Sequence, residues 1–230
     1  MLYFAAFATK LLVRVQSHEN GSDSWLDAIT KSSVNSTPKG DNRYLCLSDI
    51  VLMKITITYE FDLDDGTLSA DELESNRDLH LAKLSDIVRE EGRLVLLVNG
   101  EDVCGEYSDP LLRLVEQWLR KVTWVISGDT ETLALRNSQQ CFAFVPSGGA
   151  IELSFFDGTE LEVDDYLFEP TNIRLEDLVS QSIAVGDNLL GVLNAVDSSL
   201  VETDDDCSDF RRNLDELRKT WRDHQVRQRR

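Results

Sequence analysis

The sequence predicts an α+β protein: a mostly antiparallel sheet with helices packed on one face, closing on a C-terminal helix pair. Three observations carry this expectation. Segments that alternate apolar and polar residues come in clusters, with the helical segments set apart from them. The connections between clustered segments are too short for parallel crossovers, so neighbouring strands must run antiparallel. Beyond residue 174, apolar residues recur at steps of three and four. The order is strand, helix, two strands, helix, four strands, two helices.

Each element has its own signal. Over residues 54–61, Ile55, Ile57, Tyr59 and Phe61 alternate with Lys54, Thr56, Thr58 and Glu60, the pattern of a half-buried strand. A polar DLDDG turn follows at residues 62–66. Leu73, Leu81, Leu84 and Val88 then predict a helix over residues 70–91. The apolar run 93–98 reads as a strand, and Asn99-Gly100 is a two-residue hairpin signal leading into a second strand over 102–107.

Asp109-Pro110 reads as a cap followed by a proline at the first helical position. Leu111, Leu112, Val115, Trp118, Leu119 and Val122 continue as an amphipathic helix that Gly128 can end. Four short strands are expected over 131–136, 140–145, 151–156 and 160–168, with PSGG and DGT among the turns and Pro170 closing the run. Leu175, Leu178, Val179, Ile183, Leu189, Leu190, Leu193 and Val196 predict a helix over 174–197. After the acidic link ETDDD, Phe210, Leu214, Leu217 and Trp221 form one stripe of a last helix.

Composition bounds the function. The 230 residues are 42% hydrophobic and 8% aromatic, enough for a packed core, and no run approaches the roughly 18 apolar residues of a membrane span. A formal charge of -19 has the wrong sign for neutralising phosphates, which argues against nucleic acid as a partner. Residues 1–52 carry as many positive as negative groups, whereas residues 53–210 stand at -24 and the last twenty residues at +5. With the Ser/Asn/Asp/Gly-rich stretch 15–45, this predicts a poorly structured N-terminal extension over 1–52 and a single acidic α+β domain over 53–230, with Met53 a candidate true start. The apolar N-terminus lacks a preceding basic region and is interrupted by Lys10, which argues against a signal peptide.

The kind of charge is also informative. There are 16 Arg to 7 Lys and 25 Asp to 17 Glu. Few lysine stems and many short carboxylates keep a surface hydrated in concentrated salt, which suggests a halophilic archaeon and a cytoplasmic protein. Cys46, Cys104, Cys141 and Cys207 are scattered without a CxxC pair, so reduced structural thiols are expected.

One motif suggests chemistry. Residues 61–68, FDLDDGTL, follow a strand and resemble the first motif of the haloacid-dehalogenase-type phosphatases. The resemblance implies Asp62 as nucleophile, Asp64 as general acid and Mg²⁺ as cofactor. It also draws in residues 125–128 (VISG), similar to that family's phosphate-binding step, and Asp187 in residues 184–188 (AVGDN), similar to its metal-binding step. The sequence departs from the pattern at three places: Asp65 is inserted before Gly66, no lysine lies between Lys121 and Lys219, and Gly191 stands where a second metal carboxylate belongs. As a calcium loop the segment also fails, with no Glu at the twelfth position.

No phosphate-loop, dinucleotide, nucleophile-elbow or HExxH signature occurs, and His18, His80 and His224 are far apart in sequence. The other candidate is the basic last helix, where Arg211, Arg212, Arg218, Lys219 and Arg222 can either neutralise the acidic body or contact a protein. The expectation is therefore a non-enzymatic acidic protein-interaction domain, an inhibitor or immunity-type binder of a basic partner, needing no cofactor. The alternative is a Mg-dependent phosphohydrolase using Asp62 and Asp64.

Overall fold

The computed structural model describes residues 52–84 and 86–229, which fall within one compact unit. The extension expected over residues 1–52 lies, Leu52 apart, outside the described residues. The elements are β1 (Ile55–Leu63), β2 (Gly66–Ser69), α1 (Ala70–Ser75), α2 (Arg77–Leu81), β3 (Glu91–Val98), β4 (Glu101–Asp102), β5 (Asp109–Pro110), α3 (Leu111–Ile126), β6 (Glu131–Ala134), β7 (Gln140–Ser147), β8 (Ala150–Thr159), β9 (Glu162–Arg174), α4 (Leu175–Val196), α5 (Leu200–Thr203) and α6 (Asp205–Gln228). The α+β class, the antiparallel pairing and the C-terminal helix pair α4 and α6 are as the sequence predicts.

The strands divide between two sheets. The first has the order β2-β1-β3-β4, with β5 also paired to β3, and the second has the order β6-β7-β8-β9. Alternation in β1 puts Ile55, Ile57, Tyr59 and Phe61 inside, all nearly inaccessible. Gly92 of β3 lies opposite Phe61, and a Cβ there would run into the Glu60 carbonyl oxygen, so the two backbones can approach only because the residue is glycine. Asn99 and Gly100 take positive φ, 54° and 91°, as the predicted two-residue hairpin turn requires.

Helix α3 joins the two sheets. It packs on β3 of one sheet, on β6 and β7 of the other, and on α4 and α6. Its Trp118 meets Phe142 and Phe144 edge-on, with ring centroids 5.3 and 4.9 Å away, while Phe142 stacks on Phe155 at 4.4 Å. The buried indole N–H donates to Ser182 Oγ of α4 at 2.8 Å, which satisfies the polar atom that so large a core residue brings with it. Between α4 and α6 the fit is close: a Cβ on Gly186 would lie 2.6 Å from Leu214 Cδ1. Met53 ties the start of β1 to the end of β9, donating its N–H to the Asn172 carbonyl at 2.9 Å beside a parallel bridge to Ile173.

Several local expectations are corrected. The helix expected over 70–91 is two short helices, α1 and α2, followed by turns. Ser69 and Glu72 form a capping box that starts α1, and Asn76 leaves the helical region at φ -138°. The second strand expected over 102–107 ends at Asp102, and the chain beyond it is irregular. Asp109 does not cap α3, whose N-cap is Pro110 without a side-chain bond. Its carboxylate instead accepts from the N–H groups of Arg136 and Asn137 at 3.0–3.1 Å, holding the β6–β7 loop of the second sheet against β5 of the first. Nor does Pro170 close the last strand: β9 continues to Arg174, and as the end strand of its sheet it is the kind of strand that tolerates a proline. Residues 157–159 lie within β8 as an irregular stretch with Gly158 at φ 147°, and the chain reverses at Glu160 and Leu161.

Candidate functional site

The DLDDG segment is a β-hairpin. Asp62 is a β1 residue paired opposite Thr67, Leu63 pairs with Gly66, and Asp64 and Asp65 are the two turn residues. Gly66 takes φ 129°, a conformation that explains a glycine at this position without any catalytic role. Asp65, inserted relative to the phosphatase motif, pairs with Lys83 at 2.5 Å, and that hydrogen bond and charge hold its carboxyl below the usual range. Asp64 adds to the negative field around Glu90, whose carboxyl is pushed up first by burial and then by Asp86 and Asp64.

The other residues of the phosphatase resemblance are placed apart in kind. Asp187 lies in the middle of α4 and pairs with Arg218 of α6. Its neighbour Gly186 is explained by the packing of Leu214. Ser127 sits at the C-terminal end of α3, where helix carbonyls present partial negative charge, a poor place for a phosphate. The described strands pair antiparallel, as the short connections between them predict. Among the described residues, no three His, Cys, Asp or Glu side chains are placed to share a metal ion.

The cationic residues of α6 are drawn largely into local pairs. The acidic link before the helix supplies its N-cap, with the Asp204 side chain accepting from Cys207 N–H at 3.0 Å, and two carboxylates in the first turn. Arg212 pairs with Asp209 at 2.8 Å, and Arg218 with both Asp215 at 2.9 Å and Asp187. Arg222 donates to the Arg218 carbonyl at 3.3 Å, and Lys219 is exposed. Arg211 lines a cleft of about 320 Å³ with Leu190, Asn194, Val201, Asp215 and Arg218. On its inner face the helix buries Cys207, Phe210, Asn213, Leu214 and Leu217.

The feature that sequence reasoning missed is the carboxylate-rich outer edge of the β8–β9 hairpin. Strand β9 is the last of its sheet and pairs with β8 along one side. Its surface carries Asp164, Asp165 and Glu169, with Glu160 at the tip and Glu152 and Asp157 on β8. Among the described residues, no cation pairs with any of these six carboxylates. Their field reaches the interior: Tyr166 is pushed up by burial and then by Glu169 and Glu152, and the Cys141 thiol by burial and then by Glu160. Leu161 and Leu167 stand out of the same hairpin, 78% and 45% exposed. A signal existed in the sequence, since residues 160–164 (ELEVD) alternate carboxylates with apolar residues, but nothing local shows that the strand lies at an edge.

The fold and surface thus define a two-sheet α+β domain with a carboxylate-rich sheet edge. No protein-family model, curated protein or solved structure matches the chain. Among the described residues, no helix is long and apolar enough to cross a membrane.

Proposed function

We propose that this chain is a non-enzymatic protein-interaction domain that masks a basic partner protein, in the manner of small inhibitor or immunity-type binders. The observation that carries the reading is the β8–β9 hairpin, where six carboxylates stand together without cationic partners among the described residues. Elsewhere several cations are engaged: Arg93 is clamped between Glu60 and Asp102, and Lys121 pairs with Glu131 at 2.9 Å. Uncompensated charge of one sign steers and selects a partner of the other. The Asp- and Arg-biased composition is consistent with the cytoplasm of a salt-accumulating archaeon, and the reading requires no cofactor.

The phosphohydrolase reading draws less support, because Asp62 is held in a strand pair, Asp65 is tied to Lys83 and Asp187 to Arg218. The test of the proposal is affinity chromatography of the native host's extract on the full chain, followed by titration calorimetry with whatever is retained. A stoichiometric basic protein whose affinity falls with rising salt is the expected result. An acidic partner, a salt-indifferent one, or Mg-dependent hydrolysis of a phosphate ester would overturn it.

A further inference from the structure

We infer that the outer edge of β9 is the docking strand of this domain, and that its occupant is a basic extended segment of the partner protein, added as a further strand of the second sheet. This rests on the reading of the chain as a binder of a basic protein and says where and how that partner sits. A strand at the end of a sheet presents main-chain donors and acceptors that a second chain can take up. At thirteen residues, β9 is the longest strand described, and among the described residues the bridge on its outer side is that of Met53 to Ile173. Residues 164, 165, 167, 169 and 170, in the middle of the strand, are exposed.

Charge decides which occupant fits. Between the pairs Asp157–Asp165 and Gly158–Val163 the register shifts by one residue, so Asp164 is the extra residue of a bulge, and an added strand would meet Asp164 and Asp165 as two adjacent exposed acids. A second copy of β9 would set like charges opposite one another, which is destabilising in cross-strand pairs, whereas lysines or arginines there are stabilising. The edge therefore repels itself and admits a strand of opposite charge. Leu161 and Leu167 supply the apolar contact that a purely ionic surface lacks. Pro170, without an N–H, marks the place where main-chain pairing with the partner is interrupted.

The test uses the full chain and, as probe, a peptide of about nine residues alternating lysine with valine, the side-chain period of a strand. Binding is followed by calorimetry at the lowest salt that retains the fold, and by hydrogen exchange of the β9 amides. The expected result is slowed exchange confined to β9 amides, and affinity reduced about tenfold or more by N-methylation of alternate probe residues, which removes strand donors but no charge. The variant Asp164→Lys/Asp165→Lys/Glu169→Lys should lose binding, while the equally charged control Glu106→Lys/Asp129→Lys/Glu202→Lys should retain it. If both variants weaken binding equally, or N-methylation has no effect, the docking strand is refuted while the acidic-binder reading stands. Failure of the probe to bind at all overturns both. Protection of the β9 edge in the chain alone, whether dependent on protein concentration or not, also refutes the inference, because a second copy or the chain's own residues then occupy the edge.

Discussion

The phenol of Tyr107 stands in for a missing strand beside Leu94. Along the outer side of β3, β4 pairs with Leu97 and Val98, β5 pairs with Glu91 and Gly92, and the backbone of Leu94 lies in the gap between them. The Tyr107 hydroxyl fills that gap, accepting from the Leu94 N–H and donating to the Leu94 carbonyl, each at 3.0 Å. Its ring simultaneously packs on Phe142 and Phe155 of the second sheet, at 6.2 and 5.7 Å. Burial pushes the hydroxyl well above its ordinary pKa, so it remains a donor across the working range.

Tyr107→Phe keeps the ring and removes both bonds. Leaving one buried peptide group unsatisfied costs about 1–3 kcal/mol, and the two groups of Leu94 are orphaned together. The urea midpoint should fall accordingly with the slope unchanged. A midpoint equal to wild type would show that water replaces the hydroxyl.

Two glycines should respond differently to alanine. At Gly92 the obstacle is the Glu60 backbone carbonyl, which cannot move without breaking the β1–β3 ladder, so Gly92→Ala should destabilise by about 2–4 kcal/mol or prevent folding. At Gly186 the obstacle is the tip of the Leu214 side chain, and alanine also gains about 1 kcal/mol of helix propensity. The net cost of Gly186→Ala should be smaller than that of Gly92→Ala. Equal costs in denaturation would show that Leu214 has no room to turn.

Asp109 gives a pH dependence of defined sign. Burial raises its carboxyl above the ordinary value of 3.8, against the lowering effect of the Arg136 and Asn137 N–H groups. The native state therefore holds this proton to higher pH than the unfolded chain. The associated stability is complete below the unfolded pKa and is lost as pH rises through the raised folded one. Asp109→Asn should flatten that part of the stability profile, measured as urea midpoints from pH 3 upward in about half-unit steps. An unchanged slope would mean that Asp109 titrates alike in both states.

Salt should stabilise the fold. With residues 53–210 at -24, self-repulsion opposes the compact state, and screening over a Debye length of ~3 Å at 1 M relieves it. Thermal midpoints should climb steeply from dilute to molar KCl. Indifference to salt would remove the halophile argument.

Asp62→Asn separates the two functional readings at one residue. In a hairpin strand opposite Thr67, the substitution removes one repulsive charge and should change stability by no more than about 0.5 kcal/mol, stabilising if anything at low salt. Magnesium-dependent phosphatase activity in the wild type that disappears in the variant would instead establish the catalytic pair.

By itself the sequence determined the elements whose signals are local. Alternation set the inward face of β1, the three-and-four repeat set the buried stripe of α3, Asn99-Gly100 set a turn, and the C-terminal stripes set α4 and α6. It also determined the sign of the surface. What only the tertiary structure decided depends on neighbours distant in the chain. Alternation says that a strand has an inner face, but not which strand lies beside it, so the division into two sheets joined through α3 was hidden. Asp109 reads as a helix cap because capping is a three-residue affair, yet the N–H groups it serves are 27 and 28 residues away. Tyr107 and Gly186 carry no local mark of what they touch. The same holds for the candidate site: the carboxylates of the β8–β9 hairpin are visible as letters. Whether a carboxylate is neutralised by an arginine from another element, as Asp187 is by Arg218, or stands without a described cation at a sheet edge, as Asp164 does, is settled by packing, because an ion pair needs a distance that chain separation does not supply.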